Sequence, residues 1–376
     1  FMIDMTNKCN LRCNYCLRNL EQEENCISTE KLRDIGKFIT TYCDEYKIAN
    51  ISVQAWGGEP LLEKNKIIAL TKFITPQKTK VHYSIETNAT LLTNDVIEEL
   101  YKNHIGIGIS IDGDRKCHDL QRTFVSGKGS YDTVKKNLLQ AQRYYKNKIG
   151  TITTITKQTA VHIEKIIEHL VLDLHISNIK LNFVHASTYT HGQNQCLNTQ
   201  EIADTELRIL YKIIELQERG YDVMEHNIFI KLKNLLFREY ADICLSCGCC
   251  GGKKMIVFDM DGNIYPCELT DDASFVIGSI YKKESLIEQI KMTIDKDKAF
   301  FKMKKAVECE KCYWKFFCRG GCTVRALSEK RQMEVIDIDH IECAINQVLY
   351  PALMELVLRK PHIVNQMLGE DLLVDE

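Results

Sequence analysis

Three cysteines stand within eight residues near the start of the chain, Cys9-Asn10-Leu11-Arg12-Cys13-Asn14-Tyr15-Cys16, in the spacing C-x3-C-x2-C. Three thiolates on one short loop can hold three corners of a [4Fe–4S] cube and leave the fourth iron open to a small molecule. Most electron-transfer clusters are instead closed by four cysteines. A zinc site with a distant fourth ligand is the alternative, although zinc sites are usually assembled from C-x2–4-C pairs. A second constellation lies far downstream: Cys309-x2-Cys312-x5-Cys318-x3-Cys322, then Cys343. Ahead of it, Asp261-Gly262-Asn263-Ile264-Tyr265-Pro266-Cys267 sets a cysteine after an Asp-Gly hairpin signal, and Cys244, Cys247, Cys249 and Cys250 come just before. Of the seventeen cysteines ten fall between positions 244 and 343. An odd total with no secretory signal fits metal or cluster ligation better than a disulfide framework. A pair of zinc ribbons is the alternative for this region. Cys26, Cys43, Cys117 and Cys196 read most simply as buried or incidental thiols.

Such loops need a scaffold to aim them. Short β-branched or apolar runs at 2–6, 51–54, 81–86, 107–111, 150–155 and 179–183 alternate with helical periodicity over 29–46, 66–73, 95–102, 131–145 and 161–172. That order is βα repeated about six times, an α/β class with a parallel sheet and helices outside it. Six units make an incomplete version of the eight-unit barrel, with functional loops after the C-terminal ends of the strands. We expect this partial barrel over 1–198 and a linking helical segment over 199–240, its helix running from 199 to 219 and stopping at Gly220. A cysteine-rich domain is expected over 241–350. The tail, 351–376, reads as helical through about Met367 with interruptions at Pro351 and Pro361.

Composition narrows the remaining classes. The 376 residues are 45% apolar and 27% charged with a net charge of −2. That balance argues against a nucleic-acid-binding surface, which needs excess Lys and Arg. No uninterrupted apolar run reaches the length of a membrane span, and no signal peptide is visible, so no membrane partner is expected.

The triplet after the first strand resembles the radical S-adenosylmethionine (radical SAM) superfamily, whose members place it on a partial (βα)6 barrel; Tyr15 before the last cysteine matches as well. Trp56-Gly57-Gly58-Glu59-Pro60 resembles the family's GGEP segment, which meets the methionine amino group, and glycines there let backbone approach a ligand without a Cβ in the way. Thr87-Asn88-Ala89-Thr90-Leu91-Leu92 resembles T-N-G-T-L-L, with Ala89 replacing glycine, a departure that touches the loop conformation. By the same resemblance Ser110, in Ser110-Ile111-Asp112-Gly113, and Arg122 lie around the cofactor's ribose and carboxylate; a planar guanidinium fork suits a carboxylate.

The downstream cysteines resemble the SPASM domain, which binds two auxiliary [4Fe–4S] clusters. The resemblance implies that Cys309, Cys312, Cys318 and Cys343 close the outer cluster. Cys267 and Cys322 then belong to the inner one, completed by two of the four upstream cysteines, of which Cys249 and Cys244 are favoured. It also implies an oxidoreductase that cleaves S-adenosylmethionine in a reducing cytoplasm, fed by a flavodoxin or ferredoxin, with three clusters in all.

Two substrate classes fit. One is a ribosomally made, cysteine-rich precursor peptide with a leader, matured by joining cysteine sulfur to carbon as sactipeptide and ranthipeptide maturases do. The other is a sulfatase whose Cys or Ser becomes formylglycine, as in anaerobic sulfatase maturation. The sulfatase-type enzymes carry a functional Asp directly after the Pro-Cys, and here Glu268 stands in that place. Glu268 can serve as the base that takes a thiol proton. On that difference we favour thioether formation.

Overall fold

The computed structural model describes residues 1–18, 25–184, 195–238, 249–270, 273–295, 307–330 and 338–369. Its strands are β1 (Met2–Thr6), β2 (Leu11–Cys13), β3 (Asn50–Gly57), β4 (Lys80–Thr87), β5 (Ile105–Ser110), β6 (Arg122–Phe124), β7 (Gly150–Ile155), β8 (Asn178–Phe183), β9 (Met224–Glu225), β10 (Val257–Phe258), β11 (Asn263–Tyr265) and β12 (Gly278–Ser279). Ten of them form one sheet in the order β12-β11-β10-β1-β3-β4-β5-β7-β8-β9. From β10 to β9 every neighbouring pair is parallel, and β10, β11 and β12 pair antiparallel.

The β-branched runs explain the sheet. In β5 the sequence Ile-Gly-Ile-Gly-Ile-Ser buries Ile105, Ile107 and Ile109 on one face and turns Gly106, Gly108 and Ser110 to the other. Helices cover the isoleucine side. Thr29–Glu45 starts where the Ser28 side chain accepts from Lys31 N and buries Leu32, Ile35 and Ile39, the spacing of one helical face. The inner, concave face is left to polar side chains, as in a barrel whose lumen is a site.

The cysteine-rich region is joined to this sheet through backbone. Met2 pairs with Val257 and Ile3 with Phe258, so β10 covers the free edge of β1. The Asp259–Gly262 turn then returns the chain as β11.

Two readings of the tail need correction. Helix His340–Arg359 runs through Pro351 without a break, so the boundary between 350 and 351 falls inside one helix. Its Leu349, Tyr350, Leu353 and Leu356 are buried in the core, and such packing offsets one lost backbone bond. A new helix does begin at Pro361 and ends at Leu368 before a left-handed Gly369. The 340–359 helix is also the one described helix long and apolar enough, by length and composition, to cross a membrane. Here its buried side carries Glu342 and Asn346, both bonded to Lys231.

Candidate active site: a triplet loop held from three sides

The loop of Cys9, Cys13 and Cys16 leaves β1 at Thr6 and is first clamped by the segment after β3. Gly58 N donates to Thr6 O at 2.7 Å and Glu59 N to Lys8 O at 2.8 Å. A Cβ on Gly57 would sit 2.3 Å from Thr6 O, and one on Gly58 2.1 Å from Lys8 O. The two glycines are therefore required by the chain's own cysteine loop, which comes as close as a ligand would. The Glu59 carboxylate is fully buried and accepts from Leu61 N, Thr87 Oγ1 and Asn88 N at 3.0, 2.7 and 2.8 Å. Burial raises its pKa, and those three donors oppose the rise. Pro60 opens the short turn Pro60–Glu63 that Glu59 caps.

The second support is the turn after β4. Asn88 Nδ2 donates to Asn10 Oδ1 at 2.9 Å and lies 3.8 Å from Cys9 Sγ, while Asn10 reaches Thr90 Oγ1 at 2.7 Å. Ala89, where the family pattern has glycine, adopts φ 58°. The left-handed conformation is kept with the substituted residue strained in it.

The third support was not legible in the sequence. β2 and β6 pair antiparallel, with Cys13 opposite Arg122. Arg122 is buried, its Nη1 is 4.0 Å from Cys13 Sγ, and its Nε donates to Asp112 Oδ2 at 2.9 Å. Asp112 is fully buried and also accepts from Tyr15 OH (2.7 Å), Gln121 Nε2 (2.9 Å) and Thr154 N (2.9 Å). Tyr15 is thereby fixed beneath the Arg122 guanidinium, 5.3 Å from ring to cation. His118 closes this cluster, accepting from Asp112 N at 3.2 Å, and burial holds its pKa down to about 4. Ser110 ends β5 on the same inner face. The signal for Asp112 was its place between Ser110 and Arg122; nothing in the spacing revealed that it gathers four donors.

Burial pushes the Cys9 thiol up to about 11 and Cys13 up to about 12, with Cys16 close to both. Buried sulfurs ionise only against a cation, and three soft thiol donors match an iron–sulfur cluster.

The downstream cysteines gather in two sets. Cys309, Cys312, Cys318 and Cys343 line one cavity with Trp314, Asp339 and Asn346. Cys322 lies near both Cys249 and Cys267. Burial raises the Cys267 thiol well above its ordinary value and Cys322 to about 11. Cys244 and Cys247 lie outside the described residues. Cys250 is buried, its carbonyl accepting from Lys253 and Lys254 N. The Cys267 thiol donates to Glu268 Oε2 at 3.1 Å.

Between these sets and the triplet lies the inner face of the sheet. Arg18 pairs with Asp4 at 2.7 Å and lies 4.0 Å over the Trp56 ring. Glu86 is exposed on this open face, with Lys180, Gln54 and Glu268 as its charged and polar neighbours. Gly106 lies beside Ser84 and Gly108 beside Glu86. A Cβ on either would meet nothing closer than 3.6 Å and 3.4 Å respectively.

A family model described as the radical SAM superfamily matches residues 3–170. The cysteine-type anaerobic sulfatase-maturating enzyme of Clostridium novyi is 26% identical over 327 residues, 84% of this chain and 85% of that one. Among solved structures, anSMEcpe with bound AdoMet and Cp18Cys peptide superposes with a TM-score of 0.78 at 21% identity, covering 94% of this chain and 97% of that one. SuiB of Streptococcus suis bound to precursor peptide SuiA gives 0.65 at 18% identity, covering 89% and 74%. Both structural likenesses are of fold.

Proposed function

Residues 3–170 being a radical SAM domain, we propose that the chain is a peptide maturase that joins cysteine sulfur to carbon in a ribosomally made, cysteine-rich peptide. When bound, a [4Fe–4S] cluster with S-adenosylmethionine would supply the one-electron chemistry that takes a hydrogen atom from an unactivated carbon. Cys9, Cys13 and Cys16 hold that cluster, and Arg122, fixed through Nε by Asp112, offers its remaining nitrogens to a carboxylate. Each thioether costs the substrate two hydrogens. One leaves carbon as an atom, and the other leaves the thiol as a proton, which Glu268 takes. Cys249, Cys267 and Cys322, with a corner from Cys244, and Cys309, Cys312, Cys318 and Cys343 would hold two auxiliary clusters, which would supply an acceptor for the remaining electron. A flavodoxin or ferredoxin in a reducing cytoplasm supplies the initiating electron.

The observation that carries this reading is the inner face over Gly106 and Gly108. Neither glycine has a positive φ and neither Cβ would collide, so the fold does not demand them. Glycine inside a strand weakens it and marks a place where a ligand or another backbone approaches. Glu86, the register partner of Gly108, and Lys180, whose charge acts on Glu86, offer an acceptor and a donor to a peptide main chain. The likeness to sulfatase-maturating enzymes supports a second product, formylglycine; Glu268 in place of Asp weighs against it.

Mass spectrometry separates the two. With reductant, S-adenosylmethionine and a cysteine-rich precursor peptide, the expected product is lighter by two hydrogens per cross-link and retains its sulfur. Loss of sulfur, with an aldehyde that reacts with hydrazine probes, replaces thioether formation with formylglycine formation.

A further inference from the structure

The chemistry above leaves a buried ladder of charged side chains unused. Asp339 caps helix His340–Arg359 and accepts from Cys322 N at 2.7 Å. Arg325 grips the same carboxylate, Nε 3.0 Å from both oxygens and Nη2 2.7 Å from Oδ2, and reaches Glu342 Oε2 at 3.3 Å. Glu342 Oε1 takes the Lys231 ammonium at 2.5 Å, and Lys231 also donates to Asn346 Oδ1 at 2.7 Å. Asn346 and Cys318 line the same cavity. The ladder therefore runs from Cys322 in one cysteine set to the cavity that Cys318 lines in the other.

All of these groups but the half-buried Arg325 are cut off from water. Lys231 is 1% exposed, and Asp339, Glu342 and Asn346 are 1%, 2% and 2% exposed. A buried ion-pair network is weak as a stability device, because apolar side chains of similar volume usually do as well. Its placement is specific, however. Cys322 faces one cation and one carboxylate, Arg325 and Asp339, and Cys318 faces another such pair, Lys231 and Glu342. Arg325 and Lys231 meet on opposite oxygens of a single carboxylate, Glu342.

On the reading that both cysteine sets hold clusters, we propose that this ladder sets the two auxiliary reduction potentials separately, Arg325 acting on the inner site and Lys231 on the outer, with Glu342 as the shared link. Cluster potentials follow local charge, hydrogen bonding and solvent exposure. A fixed cation stabilises the reduced, more negative state, and a fixed carboxylate opposes it. Arg325 and Lys231 are thus positioning residues for electron flow and do not touch substrate.

The test is a redox titration of anaerobically reconstituted holoenzyme followed by electron paramagnetic resonance, the triplet's component being assigned from the Cys9/Cys13/Cys16→Ala variant. Arg325→Met is expected to move the inner midpoint negative and leave the outer one in place, and Lys231→Met to do the reverse. Arg325→Lys and Lys231→Arg keep the charge and should keep the midpoints. Where a methionine variant sheds iron, Glu342→Gln decides: near-isosteric and one negative charge poorer, it should move both midpoints positive. Full iron with unmoved midpoints, or both midpoints moving together in either single methionine variant, overturns the proposal. About four irons per chain in the wild type overturns the auxiliary-cluster reading instead.

Discussion

Cys13 and Arg122 are register partners in a two-stranded ribbon, 109 residues apart in sequence. The pairing sets a permanently charged guanidinium beside a half-buried thiol, and Asp112 prevents it from turning away. One of three sulfurs in the triplet therefore has a fixed cation as its neighbour.

Arg122→Ala should weaken S-adenosylmethionine binding without removing iron, since a charged hydrogen bond is lost and not a ligand. The cost is about 1.5–3 kcal/mol, read as a rise in apparent Kd by isothermal titration of the reconstituted enzyme. Asp112→Asn should weaken binding in the same direction through the freed arginine. Unchanged affinity in both variants would place the carboxylate clamp elsewhere.

Replacing Cys9, Cys13 and Cys16 together by Ala should lower iron from about twelve to about eight per chain and abolish deoxyadenosine formation under dithionite. Continued cleavage of S-adenosylmethionine would mean that another cysteine set binds it.

Two kinds of glycine should behave differently. Gly58→Ala drives a Cβ into Lys8 O, and backbone cannot step aside cheaply. The expected result is a displaced triplet loop and loss of up to about four irons. Gly108→Ala meets only ordinary contacts, so folding and iron content should be unchanged while peptide affinity, followed by fluorescence anisotropy, falls about tenfold or more, roughly 1.4 kcal/mol. Wild-type peptide affinity in Gly108→Ala would remove the peptide from this face.

Ala89→Gly should stabilise the protein. Left-handed backbone costs a non-glycine residue roughly 1–2 kcal/mol, and the added freedom of the unfolded glycine chain returns about 0.4–1 kcal/mol of that. A net gain of about 0.5–1 kcal/mol is expected as a higher urea midpoint with unchanged slope. A lower midpoint would show that the Ala89 methyl contributes more packing than its φ costs.

Glu206 links stability to pH. Buried and close to Glu225, its carboxyl is raised to about 8 from an ordinary value near 4.5, with Lys231 opposing the shift. The folded state holds the proton over that interval and the unfolded state releases it, so this contribution is lost as pH rises from about 4.5 through about 8. Glu206→Gln should therefore stabilise the protein at pH 8 by up to about 4 kcal/mol, read as a higher melting temperature, and change little at pH 5. Equal shifts at both pH values would contradict the assignment.

Local pattern carried much of this protein. Short apolar or β-branched runs marked β1 and β7 to the residue; in β7 the alternate burial of a strand writes itself into the sequence. The helix Thr199–Glu218, with Gly220 at φ 84° beyond it, followed from a capping rule just as local. The cysteine spacings pointed to their chemistry because thiols on one loop share a ligand whatever the rest of the chain does.

Tertiary structure decided what those residues face. No spacing rule pairs residue 13 with residue 122, or predicts that Asp112 accepts from a tyrosine, a glutamine, an arginine and a backbone amide at once. Such bonds form only when separate strands meet, and their energy comes from burial that the sequence does not display. The same holds for Gly57 and Gly58, required by the backbone of β1's loop, and for Pro351, carried inside a helix by its packing. Residue type and spacing determined the chemistry available to this chain; which groups would stand beside it was settled by long-range pairing, because neighbours across a fold are chosen by packing and not by order along the chain.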